Sequence, residues 1–85
     1  MKINSNVAFG SVLASYLDSD INAKRNFQLQ VGKLIAEDKV KKMVFLPKDD
    51  IFEKFKISCD SEQTEKSLTR TLDSLGIDAQ FVADA

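Results

Sequence analysis

The chain has 85 residues, of which 44% are hydrophobic and 29% charged, with a net charge of −1, no histidine and one cysteine. Histidine and cysteine dominate acid–base catalysis and transition-metal binding near neutral pH, so their scarcity argues against an enzyme and against a metal or other cofactor. A single cysteine forms no internal disulfide, which favours the reducing cytoplasm. No apolar run reaches the roughly 18 residues of a membrane span, so we expect no membrane partner. The length is that of a single domain over residues 1–85.

The first part of the chain predicts two helices, because apolar residues recur three and four positions apart. The first stripe consists of Phe9, Val12, Leu13, Tyr16 and Leu17, and the second of Ala23, Phe27, Val31, Leu34 and Ile35. Asn4, Ser5 and Asn6 are suitable N-caps for the first helix, and the polar segment 18–20 interrupts the pattern and supplies a cap for the second. The short linker predicts that the two helices are antiparallel neighbours.

A short buried strand is predicted over residues 40–46, which end in a continuous apolar run, and Pro47 stops it. The next segment, residues 50–57, has two interpretations. One is a short helix whose buried side chains are Ile51, Phe52 and Phe55. The other is the second strand of a β-hairpin that turns near 48–50, because lysine and apolar residues alternate over 54–58. The adjacent apolar residues Ile51 and Phe52, with Phe55, suit a helix better than an alternating strand, so the helix is favoured.

The last helix has the clearest boundaries. Asp60 or Ser61 can cap its N-terminus, and Gly76 followed by Ile77 is typical of a left-handed C-cap with a hydrophobic contact. Its buried stripe consists of Leu68, Leu72 and Leu75. Beyond it, Phe81 and Val82 predict a final strand beside Met43–Leu46. The predicted fold class is therefore α+β and mostly helical, with two N-terminal antiparallel helices packed on a small helix-and-strand C-terminal half.

The segment 50–77 resembles a helix-turn-helix of the winged-helix type. The residues that carry the resemblance are Ile51, Phe52, Phe55, Ile57, Thr64, Leu68, Arg70, Leu72, Leu75, Gly76 and Ile77. In that family the second helix enters the major groove of DNA, so the resemblance implies base or phosphate contacts from its exposed side chains. These would be Ser61, Gln63, Thr64, Lys66, Ser67 and Arg70. Residues 57–85, however, carry a net charge of −4, which opposes binding to phosphates and favours a protein contact.

The centre of the chain is basic, because residues 39–56 hold six lysines against three acidic residues. The lysines are Lys39, Lys41, Lys42, Lys48, Lys54 and Lys56. Basic residues interleaved with aromatic ones can bind single-stranded nucleic acid. They can equally form a solvated surface, or a surface that meets an acidic protein. The candidate aromatic anchors for a protein partner are Phe45, Phe52, Phe55 and Phe81.

The remaining polar groups have structural interpretations. Cys59 lacks a neighbouring histidine or other base, which indicates a semi-buried structural thiol and not a nucleophile. The aspartate pairs at 18/20 and 49/50 are typical of caps and turns, and neither has the ligand spacing of a calcium loop.

The sequence thus predicts a non-enzymatic binding protein that regulates or inhibits a macromolecular partner, most readily a protein, by surface contact. Small stand-alone domains of this kind are common among phage and mobile-element accessory proteins. The alternative is a helix-turn-helix nucleic-acid-binding regulator, with a homodimer through the first two helices, and a structural subunit of an assembly fits the same composition. The candidate binding residues are Lys39, Lys41, Lys42, Lys48, Lys54, Lys56, Lys66 and Arg70.

Overall fold

The structure, a computed structural model, describes residues 10–48 and 50–83. Its elements in chain order are β1 (Gly10–Leu17), α1 (Ile21–Ala36), β2 (Val40–Phe45), β3 (Phe52–Cys59), α2 (Glu62–Ser74) and β4 (Asp78–Ala83). The four strands form one antiparallel sheet in the order β2-β3-β1-β4. Each helix therefore connects two strands that are separated by a third, which is the split βαβ arrangement of ferredoxin-like folds.

Alternation along the two central strands separates the sheet into a covered and an uncovered face. The covered face presents Val12, Ala14 and Tyr16 from β1 and Phe55, Ile57 and Cys59 from β3, all of which are buried. α1 packs on this face through Phe27, whose ring lies 4.4 Å from the ring of Phe55 and 5.5 Å from that of Tyr16. α2 packs there through Leu68 and Leu72. The core is thus the layer between the sheet and the two helices.

The prediction of an N-terminal helix is wrong, because residues 10–17 form the strand β1. The apolar residues of this segment fit helical spacing, but Val12, Ala14 and Tyr16 also fit the two-residue period of a strand. Leu13 and Leu17 then lie on the opposite face of the sheet, where both are partly accessible. The N-caps proposed at Asn4, Ser5 and Asn6, and the stripe residue Phe9, lie outside the described residues.

The short helix favoured for residues 50–57 is also wrong, and the alternative hairpin is correct. β2 and β3 pair antiparallel, with Phe45 opposite Phe55 and Val44 opposite Lys56. Asp50, in the connection between the two strands, has a φ of 60°, a left-handed conformation that aspartate adopts more readily than most residues. The predicted fold class therefore fails in two respects: α1 has no antiparallel helix before it, and the strands hold nearly as many residues as the helices.

The final strand exists, but its neighbour differs from the predicted one. β4 pairs with β1, with Ser11 opposite Val82 and Ala14 opposite Ala79, and it does not touch Met43–Leu46. β2 and β4 form the two opposite edges of the sheet. The connection through α2 places β4 beside β1 because β1 already occupies the position next to β3.

The caps predicted for the two helices are confirmed. The Asp20 carboxylate accepts a 3.0 Å hydrogen bond from the backbone N–H of Ala23 and caps α1, and the Ser61 hydroxyl accepts one of 3.1 Å from Thr64 and caps α2. Gly76 has a φ of +81°, and the backbone N–H of Ile77 donates to the carbonyl of Leu72 at 3.0 Å. This is the Schellman closure that the glycine predicted.

Candidate partner-binding surface

Both helices pack on the same face of the sheet, so no described element covers the opposite face of the sheet. We call this opposite face the open face. Its accessible side chains come from alternate positions of β1, β2 and β3 and from the residue that follows β2. We define the open-face patch as the apolar residues Leu13, Leu17, Val44, Leu46 and Phe52 with the basic residues Lys42, Lys54 and Lys56. In the register of the sheet, Lys56 lies directly between Leu13 and Val44.

The apolar part of the open-face patch is concentrated at one end of the sheet. Leu17 and Phe52 are opposite each other on neighbouring strands and are 39% and 40% exposed. Beside them a shallow cavity of about 230 Å³ is lined by Leu13, Leu46 and Gln80, together with the stem of Lys54. This volume is below the range typical of small-molecule sites, about 300–1,000 Å³.

The three lysines of the open-face patch lie close together. Lys54 and Lys56 point to the same side of β3, with Cα atoms about 7 Å apart. Lys42, on β2, lies opposite Ser58, two residues beyond Lys56. Among the described residues, Lys42 and Lys56 form no ion pair, so their charges are available to a partner. The patch therefore combines exposed apolar area with three lysines, and Asp78 is an acidic residue at its border.

Three of the other predicted binding lysines are engaged in ion pairs. Lys39 lies 3.4 Å from Glu37, Lys48 lies 2.6 Å from Asp18, and Lys66 lies 3.0 Å from Glu62 and over the ring of Phe81. The hydrogen bond to Asp18 raises the pKa of Lys48 above its ordinary value of 10.5, and this lysine is charged throughout the physiological range. These three lysines are at separate places and form no common site.

The last two predicted binding residues do not belong to the open-face patch, although Lys41 directly precedes Lys42 in β2. Lys41 lies at the irregularity where the register of β2 and β3 shifts between Val40 and Lys42. Arg70 is exposed on α2, on the helix side of the molecule. The structure therefore gathers three of the eight predicted binding residues, Lys42, Lys54 and Lys56, into one surface, with Lys41 next to them in β2 and the other four elsewhere.

The four candidate aromatic anchors have different positions. Phe55 belongs to the core, and Phe81 packs on the helix side, where its ring lies against Gly10. Phe45 is 72% exposed at the edge strand β2, with its ring perpendicular to that of Phe55 at 5.2 Å. Phe52 is the one aromatic residue on the open face among the described residues. The apolar partners of Phe52 in the patch were missed because the segments that hold them were predicted as a helix or as a fully buried strand.

A second, larger cavity of about 560 Å³ lies in the groove between α1 and α2. Leu34 and Leu68 contribute apolar surface to it, but the rest of its lining is polar or charged. Lys39 and Asp60, both exposed, are among these polar residues. Small-molecule sites are mostly apolar with a few polar groups that converge on the ligand. The groove lacks that character and is open to water, so it supports no ligand assignment.

Cys59 is buried, and its surroundings make the thiol unreactive. Burial, the carboxylate of Glu65 and that of Asp60 together raise its pKa to about 11. The thiol is therefore almost entirely protonated at neutral pH, as a structural cysteine is and a nucleophile is not. Nowhere in residues 10–48 and 50–83 do three carboxylate or thiol groups meet as metal ligands would.

The segment with the helix-turn-helix resemblance contains one helix in the structure. β3 occupies the positions where the resemblance implies the first helix, and the second corresponds to α2, which packs on the sheet through Leu68 and Leu72.

Among the described residues, neither helix combines the length and the apolar composition that crossing a membrane requires. Comparisons with protein-family models, with curated proteins and with solved structures find no match.

Proposed function

We propose that this protein is a non-enzymatic binding protein that regulates or inhibits an acidic protein partner by holding it on the open-face patch. The observation that supports this proposal is the adjacent pair Leu17 and Phe52, exposed on an uncovered sheet face beside three lysines. Exposed apolar residues that are contiguous and bordered by charged ones are typical of interaction sites.

The two parts of the patch have different roles in binding. Leu17, Phe52 and the shallow cavity lined by Leu13 and Leu46 supply the apolar contact, which provides most of the affinity once water is excluded. Lys42 and Lys56 raise the rate of encounter with an acidic surface and select against basic ones. They also oppose a face-to-face contact between two copies of this chain, because that contact would place lysines against lysines.

The composition of the open face favours a protein over single-stranded nucleic acid. Sheets that bind single strands stack successive bases on several aromatic rings, each of which contributes about 1–3 kcal/mol. Phe52 is the single ring available on this face among the described residues, and it lies at the end of the sheet. The central positions are held by Leu13 and Lys56, which cannot stack a base.

The test is affinity capture from the native host with paired variants. The charge-reversed variant Lys42→Glu/Lys56→Glu alters the open-face patch, and Lys24→Glu/Lys33→Glu makes the same change in charge on exposed positions of α1. We expect the unaltered protein and the α1 variant to retain one stoichiometric acidic protein, and the patch variant to lose it. Retention by the patch variant would show that the partner binds elsewhere.

A second measurement separates the two classes of partner. Binding of a labelled single-stranded oligonucleotide is measured at low and at physiological salt by fluorescence anisotropy. We expect no saturable binding at physiological salt. Saturable binding that is lost in Lys42→Glu/Lys56→Glu would contradict the protein-partner proposal and assign the patch to nucleic acid.

A further inference from the structure

The two edges of the sheet differ in how well they are protected against pairing with another chain. An exposed edge strand offers unpaired backbone N–H and C=O groups, and proteins usually block it with lysines, proline or a bulge. At the β2 edge, Lys41 and Lys42 and the shift of register beside them provide two of these devices. The β4 edge, Asp78–Ala83, has neither lysine nor proline, and its pairing with β1 is regular throughout.

Among the described residues, β4 pairs only with β1, so its outer edge has no described backbone partner. Its central side chains are uncharged: Gln80 and Val82 on the open-face side, and Ala79 and Phe81 on the helix side. Asp78, at its beginning, is the one charged residue of the strand. This edge is therefore neither protected by charge nor bent away.

We propose that β4 pairs antiparallel with β4 of a second copy of this chain, giving a two-fold symmetric dimer with a continuous eight-stranded sheet. An antiparallel pair of identical strands is self-complementary about a two-fold axis perpendicular to the sheet. With Gln80 at the axis, each Asp78 lies opposite Val82 of the other copy. The two Asp78 residues are then about 14 Å apart, beyond the screening length of about 8 Å at physiological salt, so they repel each other little.

This geometry keeps the helices of both copies on one side of the sheet and both open faces on the other. Five inter-strand steps separate the two copies of β3, so the two lysine clusters lie about 24 Å apart and face the same way. The inference does not rest on the proposed function, because it is argued from the backbone edge of β4 and not from the side chains of the open-face patch. If both hold, the dimer presents two identical patches to one partner.

The experiment is sedimentation equilibrium of the full chain over a range of concentrations. We expect the mass to rise with concentration from that of the 9.5 kDa chain towards twice that value. The variant Gln80→Glu/Val82→Glu places acidic residues opposite each other in both possible registers. With position 80 at the axis, the two residues 80 face each other and residue 82 faces Asp78. With position 81 at the axis, residue 80 faces residue 82. It should weaken the dimer about tenfold at low salt and recover much of the loss in 1 M salt, where the screening length falls to about 3 Å.

The matched control is Asn22→Glu/Gln28→Glu, which adds the same two charges at exposed positions of α1 and should leave the dimer unchanged. Backbone hydrogen exchange of the unaltered chain gives a readout that needs no variant: alternate amides of β4 should become protected as concentration rises. A monomer at every concentration, an equal effect of both variants, or β4 amides whose exchange does not depend on concentration would each overturn the proposal.

Discussion

The backbone N–H of Cys59 donates a 2.8 Å hydrogen bond to the carboxylate of Glu65, which joins the end of β3 to α2. The other carboxylate oxygen accepts a 3.2 Å hydrogen bond from the backbone N–H of Gly10, at the start of β1. The Glu65 side chain is fully buried. Because it satisfies backbone donors at the ends of both central strands, this carboxylate is part of the structural framework and not of a reactive site.

Replacing Glu65 with alanine should destabilise the protein by about 2–4 kcal/mol, because two buried N–H groups lose their acceptor and a cavity forms. Glu65→Gln keeps one acceptor oxygen and should cost less. The measurement is urea unfolding followed by circular dichroism. The control is Glu62→Ala, which removes a half-exposed ion pair with Lys66 on the same helix and should change stability by less than about 0.5 kcal/mol. Equal effects at the two positions would contradict the structural role of Glu65.

Alanine should have opposite effects at two of the glycines. A Cβ atom at Gly10 would lie within 2.6 Å of the Phe81 ring and the carbonyl oxygen of Val82, so Gly10→Ala should destabilise by about 1–3 kcal/mol. A Cβ at Gly32, exposed inside α1, meets nothing within 4 Å, so Gly32→Ala should stabilise by about 0.5–1 kcal/mol. Thermal unfolding of both variants checks the pair of signs, and a stabilising Gly10→Ala would show that β1 and β4 are not packed as described.

Asp38 occupies a position that suits glycine. It follows α1 with a φ of 59°, and its neighbour Lys39 donates a 2.8 Å backbone hydrogen bond to Leu34, so the helix closes as α2 does at Gly76. Asp38→Gly should raise stability by about 0.5–1 kcal/mol, because glycine adopts this conformation without the steric penalty of a side chain. Asp73→Gly, at an exposed position inside α2, should lower stability by a similar amount. Chemical denaturation of the two variants tests this contrast.

The thiol of Cys59 should react slowly in the native protein. With a pKa of about 11, its thiolate fraction at pH 8 is about two orders of magnitude smaller than in the unfolded chain, and burial adds a further barrier. We expect alkylation by iodoacetamide to be at least about a hundredfold slower in buffer than in denaturing urea. A native rate close to the denatured rate would show that the residue is exposed or activated.

The same pKa shift predicts a loss of stability at alkaline pH. In the unfolded chain the thiol titrates near its ordinary value of 9.0, whereas in the fold it holds its proton up to about 11. Between these values the folded state binds more protons, so the free energy of unfolding falls as the pH rises from 9 to 11. In Cys59→Ala this fall should be shallower, with a remainder from Tyr16, whose pKa is raised by burial and by Glu53. Denaturant titrations at several pH values measure both slopes.

Local patterns in the sequence predict both helices and the position of β2, but not the topology. Asp20, Ser61 and Gly76 mark helix ends through short-range hydrogen bonds that depend on adjacent residues alone. Segment 10–17 is different, because its apolar residues satisfy the helical and the strand period together, and Ala14 and Ser15 give no contrast between faces. The pairing of β4 with β1 instead of β2 depends on contacts between the two ends of the chain, which no local pattern encodes.

The candidate surface was predictable only in part. Alternation over 54–58 correctly placed Lys54 and Lys56 together on one face, in the hairpin interpretation. Leu13 and Leu17 could join them only after β1 was recognised as the strand beside β3. The burial of Glu65 was equally unpredictable from the sequence, because a glutamate early in a helix is usually solvated. It is buried here because β1 and β3 each direct a backbone N–H at its carboxylate.

The order of the strands also determines when this domain can fold during synthesis. β1 is made first, yet its two neighbours in the sheet are the fourth and the sixth elements of the chain, and Gly10 pairs with Ala83. β1 therefore has no neighbouring strand to pair with until β3 has been synthesised. A chain truncated before β4 would leave β1 as an unpaired edge strand, which promotes aggregation.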